Sequence, residues 1–139
     1  MEDFEGTVVY RWLVAGDAGA LDAFDDLLAA DAVIPAPRGL ASTGRDEEKG
    51  VWREALAAIP DLRHEVQEVV VGHDVEMARV VVTGTVAATF ADVDGVGRPF
   101  RMDQAVIVHL RDGRITEAWE IADVGAVEEQ TAGDGPTDS

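Results

Sequence analysis

The chain has 139 residues and no cysteine, which excludes disulfides, thiolate metal ligands and a thiol nucleophile. Its 11 basic and 28 acidic residues give a net charge of −17, which disfavours nucleic acid or an anionic membrane as a partner. No apolar run approaches the ~20 residues that span a bilayer, and the acidic N-terminus lacks the basic segment of a signal peptide. We therefore expect one cytoplasmic globular domain whose partner is a small molecule.

The first half of the chain is predicted to be helical. Apolar residues recur at helical spacing from Phe4 to Leu13 and again from Leu21 to Leu28, with Asp17 as the predicted N-cap of the second helix. Prolines exclude a helix from Pro35 to Gly44. A third helix is predicted from about Asp46 to Ile59, where Pro60 ends it.

The second half is predicted to form strands. Apolar and polar residues alternate over Leu62–Gly72 and Phe100–Arg111, and Met77–Phe90 is rich in β-branched residues. The dipeptide Asp112-Gly113 is typical of a hairpin turn and leads into a last strand. Helices followed by strands with short connections predict an α+β fold, in which three N-terminal helices pack in a cone against a curved, mostly antiparallel sheet. The open end of such a cone is a default site for a small molecule.

The last strand carries acids on both of its faces. Strict alternation places Ile115 and Trp119 on one face and Glu120 on the other, between two alanines. We therefore expect one acid to face an enclosed space, where its pKa can be tuned for proton transfer. The alternative, that every acid lies on a solvated edge, fits the same pattern.

Strand alternation also gives an interpretation for the other polar residues. It places Asp103 on the face opposite Gln104, outside the cone, and Arg79 in an ion pair on the sheet surface. It places His64 on the same face as Glu68 but too far from it for contact, so we interpret His64 as structural. No histidine spacing matches a metal site, and no metal is expected.

The order and spacing of several segments resemble one family. The chain is similar to the SnoaL-like polyketide cyclases of the nuclear transport factor 2-like superfamily over roughly residues 5–125. The matching segments are RWLVAGD, LLAADAVIPAP, GRDEEKGVWREAL, IPDLRHEVQEVVVG, RVVVTGTVAATF and GRPFRMDQAVIVHLRDGRITEAWEIAD. The resemblance implies a cystatin-like α+β barrel at residues 1–125, a homodimer and no cofactor. Residues 126–139 are predicted to be a disordered acidic tail.

The resemblance also implies a site. Glu120 stands where the cyclases carry their catalytic aspartate, and Gln104 matches a glutamine on the preceding strand, so both are predicted to be catalytic. Val106 replaces a cavity histidine of the family. The base of ketosteroid isomerases, which share this fold, is missing before the proline of Ala36-Pro37. The remaining predicted cavity residues are Trp12, Trp52, Val106 and Asp123.

Three functions are compatible with these residues. The first is a small enzyme that cyclises, isomerises or hydrates an apolar oxygenated molecule, with Glu120 as acid–base and Gln104 donating a hydrogen bond to an enolate. The second is an epoxide hydrolase or epoxide-opening cyclase, which needs a second carboxylate beside Glu120. The third is a non-catalytic module that binds a small ligand or dimerises.

Apolar residues occupy both faces of the two long strands. The segments Val80–Val82 and Val106–Val108 are apolar at every position. The helices can cover only one face, and a sheet that is apolar on both faces needs a second cover. This pattern predicts a homodimer formed through the open face of the sheet.

Overall fold

A computed structural model describes residues 4–34, 44–87 and 97–123. The predictions for the loop at 35–43, for Ala36-Pro37 and for the tail at 126–139 lie outside these residues. Two short 3₁₀ turns, Phe4–Gly6 and Leu21–Ala23, precede the first and second helices. The helices are α1 (Val8–Asp17), α2 (Phe24–Leu27) and α3 (Arg45–Ala58), and the strands are β1 (Leu28–Val33), β2 (Arg63–Gly72), β3 (Val75–Thr85), β4 (Pro99–Arg111) and β5 (Arg114–Ala122).

The five strands form one mixed sheet in the order β1-β5-β4-β3-β2. Strands β2 to β5 are an antiparallel meander, and β1 lies parallel to β5 at the other edge. Three helices pack against this curved sheet, which confirms the predicted α+β fold. The hairpin at Asp112-Gly113 is also as predicted, with φ of 54° and 78° at its two residues.

The second predicted helix is wrong in extent. Helix α2 is a single turn, and Leu28, which was assigned to it, already has an extended backbone and begins β1. Leu28 pairs with Ile115 of β5, and both side chains are fully buried. The tertiary burial of this segment outweighs the helical spacing of its leucines. The prediction that Asp17 caps the second helix is also wrong, because Asp17 is the last residue of α1.

Helix α1 is tied to the sheet at its start. The Thr7 hydroxyl accepts a hydrogen bond from the Tyr10 N–H at 3.4 Å, and the buried Glu76 of β3 accepts one from the Val9 N–H at 2.8 Å. A carboxylate at this position satisfies an unpaired helix donor and matches the helix dipole. The side of α1 that packs toward β2, β3 and β4 carries the buried residues Val8, Val9, Trp12, Leu13 and Gly16.

Strand register assigns each residue of the sheet to one of two faces. The inner face, under the helices, carries four neighbouring rows across the meander. The rows are Val71–Glu76–Val108–Ala118, Val69–Ala78–Val106–Glu120, Val66–Val80–Gln104–Ala122 and His64–Val82–Met102. The outer face carries the row Val70–Met77–Ile107–Trp119.

Two β-bulges correct the alternation that the sequence predicted. One shifts the register between Val66 and Glu68, so Glu68 lies on the outer face, opposite to His64. The other shifts the register at Thr116, so Ile115 is fully buried on the inner face instead of sharing the face of Trp119. A bulge adds one residue to a strand and reverses the parity beyond it.

Helix α3 begins and ends within one residue of the prediction. Gly44 is the N-cap of the helix, and its backbone N–H donates a hydrogen bond to the Glu47 Oε1 at 3.1 Å. The Asp46 Oδ1 in the first turn lies 3.8 Å from the Lys49 Nζ. Within the described part of the chain, no helix has the length and apolar content needed to cross a membrane.

Two helical glycines differ sharply in their surroundings. A Cβ added at Gly16 of α1 would lie 2.5 Å from the Trp52 ring, whereas one at Gly50 of α3 would meet nothing within 4 Å. We expect Gly16→Ala to lower the free energy of unfolding by about 1–3 kcal/mol through overpacking. The control Gly50→Ala should raise the free energy of unfolding by roughly 0.5–1 kcal/mol, because alanine has the higher helix propensity and its methyl group meets no other atom. Urea unfolding of the two variants measures this, and a Gly16→Ala protein as stable as Gly50→Ala would contradict the packing.

Candidate active site

Glu120 lies on the inner face of the sheet, near the end of β5. Val106 is its direct cross-strand neighbour and is fully buried. Two small residues, Ala118 and Ala122, flank Glu120 on the same face and leave space beside its carboxyl group. Glu120 itself is exposed near the end of β5, although its neighbour Val106 is fully buried. The carboxyl group of Glu120 therefore remains open to solvent on the inner face of the sheet.

Desolvation by surrounding protein atoms raises the pKa of the Glu120 carboxyl above its ordinary value of 4.5, although the residue as a whole is exposed. The largest cause is desolvation by the surrounding protein, and the charge of His64 opposes it by a smaller amount. The raised pKa agrees with the expectation drawn from the sequence. A carboxyl of this kind holds its proton closer to neutral pH and can give it to a reacting oxygen.

Gln104 lies one row away from Glu120 on the same face. It pairs with Ala122, so it is a diagonal neighbour of Glu120 at roughly 7–8 Å between backbones. Only 8% of Gln104 is exposed, and within the described residues its buried Oε1 has no hydrogen-bond partner. In this orientation of the amide, the unpaired Oε1 is a hydrogen-bond acceptor. A half-turn of the amide, which keeps its shape, would present the N–H donor expected from the sequence.

Trp12 supplies a second unpaired polar atom from the helix side. It is fully buried on the side of α1 that packs toward the sheet, and its Nε1 has no partner in the described part of the chain. Buried polar groups in native proteins are nearly always paired, so an unpaired donor and an unpaired acceptor each need an explanation. A bound molecule between helix and sheet would satisfy both.

An aspartate–histidine pair joins the end of α1 to β2. The Asp17 Oδ1 lies 2.7 Å from the His64 Nδ1, and its Oδ2 accepts the His64 backbone N–H at 2.5 Å. The two side chains are 17% and 10% exposed. The sequence missed this pair, because its members are 47 residues apart and only the fold brings them together. The helix-breaking Gly16-Asp17 and the inward parity of His64 were the available signals.

Trp52, which the sequence predicted to line the cavity, is buried and packs beside this pair. Its ring centroid lies 5.1 Å from that of His64, and Phe24 meets its edge at 6.2 Å. The Trp52 Nε1 donates to the buried Glu48 at 3.0 Å. These contacts hold the Trp52 ring in one orientation and so limit the movement of the His64 ring.

The pair also borders a groove between α1 and the edge strand β2. The groove has a volume of about 630 Å³, and Asp17 and His64 lie in its wall together with Tyr10, Val14 and Leu62. Water in this groove can therefore reach the pair from the side of α1. Val66, which lies in the same inner-face row as Gln104, also lines this groove.

The other predicted polar residues lie away from Glu120. Asp103 is exposed on the outer face as predicted, and the Arg79 Nε makes its expected surface ion pair, with Glu68 Oε1 at 2.7 Å. Asp123 is exposed at the end of β5, where its backbone N–H donates to the Asp103 carbonyl at 3.1 Å. Its place in a cavity stays a prediction. Among the described residues, no three acids or histidines are grouped to hold a metal ion.

The raised pKa makes folding depend on pH at Glu120. Its neutral form is favoured in the folded state, so this contribution is complete below about 4.5, the unfolded value, and is lost as pH rises through the folded-state pKa. Glu120→Gln keeps the shape and removes the charge. We expect the variant to gain stability relative to the wild type as pH is raised from about 4.5, in urea unfolding at several pH values.

Asp61→Asn is the control of opposite sign. The Thr85 N–H donates to the Asp61 carboxylate at 2.7 Å and holds its pKa below 3.8. This contribution is present above about 3.8 and is lost as pH falls through the folded-state pKa. A Glu120→Gln difference that stays constant with pH, while the Asp61→Asn difference shrinks in acid, would show that Glu120 is solvated.

Comparisons with known proteins agree with this architecture. The SnoaL-like polyketide cyclase family model matches residues 7–131. IdmH from Streptomyces antibioticus, described as a candidate polyketide cyclase, is 33% identical, with 88% of this chain and 94% of IdmH covered and a TM-score of 0.76. TsrD from Streptomyces laurentii is 21% identical, with 89% and 91% covered and a TM-score of 0.79, and it shows the shared fold.

A Catenulispora acidiphila protein with a ketosteroid isomerase-like fold is also similar. It is 21% identical, with 91% of this chain and 93% of that chain covered and a TM-score of 0.77, and it likewise shows the fold alone. No curated protein sequence matches the chain. The family match spans most of the sequence, and the resemblance seen in the sequence is confirmed. The chain therefore belongs to the SnoaL-like polyketide cyclase family.

Proposed function

We propose that this protein is a cofactor-independent enzyme that closes a ring in an apolar, oxygenated small molecule such as a polyketide. The observation that carries the proposal is the position of Glu120, a carboxyl with a desolvation-raised pKa on the inner face of the sheet. The family match and the 33% identity to IdmH support the same class of reaction. A cytoplasmic location remains part of the proposal.

The chemistry that fits best is an intramolecular aldol reaction. A proton leaves a carbon next to one carbonyl group, the resulting enolate attacks a second carbonyl carbon, and the new alkoxide takes up a proton. Glu120 supplies acid–base catalysis at these oxygens. The Trp12 Nε1–H can donate a hydrogen bond to a carbonyl oxygen of the substrate, and the Gln104 amide can do so after a half-turn that presents its N–H.

The two other functions have less support in the described residues. Epoxide opening needs a second carboxylate beside Glu120. Glu76 lies on β3 in the neighbouring inner-face row, but its carboxylate already accepts a hydrogen bond from the Val9 N–H. A binding module was expected to leave Glu120 exposed and isolated. Glu120 is exposed, as a binding module predicts, and the pKa raised by desolvation is the observation that favours an acid–base role.

A homodimer through the outer face of the sheet is also part of the proposal. The row Val70–Met77–Ile107–Trp119 crosses four strands, and Ile121 lies beside it with 63% of its surface exposed. Apolar surface that runs across several strands is typical of an interaction site. An identical sheet from a second copy is the simplest cover with the same chemistry.

Turnover of a simple 1,5-diketone tests the proposed reaction. Heptane-2,6-dione closes by an aldol reaction and loses water to give a cyclohexenone, whose absorbance reports the rate. We expect the wild type to accelerate this closure and Glu120→Gln to reduce kcat by about 10²–10⁴-fold, because the acid is gone while the shape is kept. Glu117→Gln on the outer face is the matched control and should keep the wild-type kcat.

Two results would contradict the proposed function. One is a wild-type protein that leaves the rate of closure unchanged, which would favour the binding module. The other is a Glu120→Gln variant with full turnover, which would show that the acid–base group lies elsewhere.

Sedimentation at micromolar concentration tests the dimer. Ile121→Asp places a charge in the proposed interface, and we expect it to convert a wild-type dimer to a monomer without lowering the stability of the subunit. Val14→Asp is the control, because Val14 is an exposed apolar residue on α1, away from the sheet face. A monomeric wild type, or a dimer that survives Ile121→Asp, would remove the argument from the outer face.

A further inference from the structure

We propose that His64 is the second acid–base group of the site, which takes the proton from the carbon atom of the substrate, and that Asp17 is the residue that positions it. This inference rests on the proposed function, because it divides the two proton transfers of that reaction between His64 and Glu120. The sequence had indicated only a structural role for His64.

The geometry of the pair fixes which ring nitrogen is free. Both oxygens of the Asp17 carboxylate face His64, one toward Nδ1 at 2.7 Å and the other toward the backbone N–H. A carboxylate can only accept, so Nδ1 carries the proton and donates. The neutral ring is then left with its lone pair on Nε2, which has no hydrogen-bond partner in the part of the chain that the structure describes.

The surroundings of His64 keep the ring in this orientation. Trp52 packs against it at 5.1 Å between ring centroids and is itself held by the hydrogen bond to Glu48. Gly16 lets Trp52 approach α1, since any side chain there would collide with the indole ring. A base must be held in one geometry to act, and two independent contacts hold this one.

His64 and Glu120 share the inner face without touching. Their rows are separated by the row that carries Gln104, and within the described residues no hydrogen bond joins the two side chains. A protonated His64 lowers the pKa of the Glu120 carboxyl, so the two side chains are close enough for their charges to interact. Two acid–base groups separated in this way can act on two different atoms of one substrate.

The proton and electron transfers balance without a co-reactant. The His64 Nε2 takes the proton from the carbon beside one carbonyl group, and the C–H electron pair forms an enolate. The enolate carbon forms the ring C–C bond at the second carbonyl carbon, whose oxygen takes the proton of the Glu120 carboxylic acid. The product is an isomer of the substrate, and the enzyme is left with a His64 imidazolium and a Glu120 carboxylate.

One proton must then pass from His64 to Glu120 to restore the enzyme. The groove between α1 and β2 gives water access to the Asp17–His64 pair. The imidazolium can lose its proton to this water, and Glu120 can take one from solvent through its own accessible surface. The cycle therefore needs no cofactor.

Nuclear magnetic resonance of the histidine rings tests the position of the free nitrogen. Long-range ¹H–¹⁵N spectra of the full chain at neutral pH should show the Nδ1–H tautomer for His64, with the 98%-exposed His73 as the reference ring. In Asp17→Asn the amide oxygen should keep the backbone N–H, so the amide N–H₂ faces Nδ1 and the ring should switch to Nε2–H. A wild-type His64 with Nε2 protonated would overturn the inference.

Kinetics with heptane-2,6-dione separate this inference from the proposed function. We expect His64→Gln to lower kcat by about 10²–10⁴-fold with little change in KM, and Asp17→Asn to lower it by about 10-fold or more together with the tautomer switch. His109→Gln on the outer face is the control and should keep the wild-type kcat. Circular dichroism establishes that each variant is folded.

The outcomes are distinct. An active wild type whose His64→Gln variant keeps its kcat overturns the role of His64 and leaves Glu120 as the acid–base group. A folded Asp17→Asn variant that switches tautomer but keeps the wild-type rate also overturns it. A wild type that does not act on the diketone overturns both this inference and the proposed function.

Discussion

The desolvation of Glu120 is the constraint on which the functional account depends. A carboxyl group on the inner face of a sheet, beside the fully buried Val106, is costly to ionise. The fold tolerates this cost because Glu120 itself is exposed to solvent. The same surroundings that penalise the charge make the neutral acid available for proton transfer.

The two faces of the sheet have different proposed functions, because the pairing register of β4 and β5 fixes which side chains point to each face. Each residue of β4 and β5 that points inward lies under the helices, and its neighbours along the strand point to the outer apolar row. One strand thus supplies Glu120 to the interior and Trp119 to the proposed dimer surface. A shift by one residue would exchange the two faces, so packing of the core also fixes the chemistry.

Much of the fold could be predicted from the sequence, and so could the position of Glu120. Proline at residue 60 and the Asp112-Gly113 turn mark element boundaries through local backbone chemistry, and the boundaries of α3 follow within a residue. The inward direction of Glu120 could be predicted because no bulge separates it from its alanine neighbours.

The remaining features depend on tertiary structure. No residue type marks the bulges near Gln67 and Thr116 in the sequence. Beyond each bulge, the residues of the strand point to the opposite face from the one that strict alternation predicts. The short α2 yields to β1 because pairing with β5 buries Leu28. The Asp17–His64 pair could not be predicted, because α1 and β2 meet only when the helix crosses the edge of the sheet.

The most direct measurement of the central claim is the titration of the Glu120 side chain itself. Site-resolved ¹³C spectra of the carboxyl carbon in the wild-type chain report its pKa without a substrate. We expect a midpoint clearly above 4.5, with desolvation as the cause. A midpoint at or below 4.5 would show a solvated carboxylate and would contradict the acid–base role of Glu120.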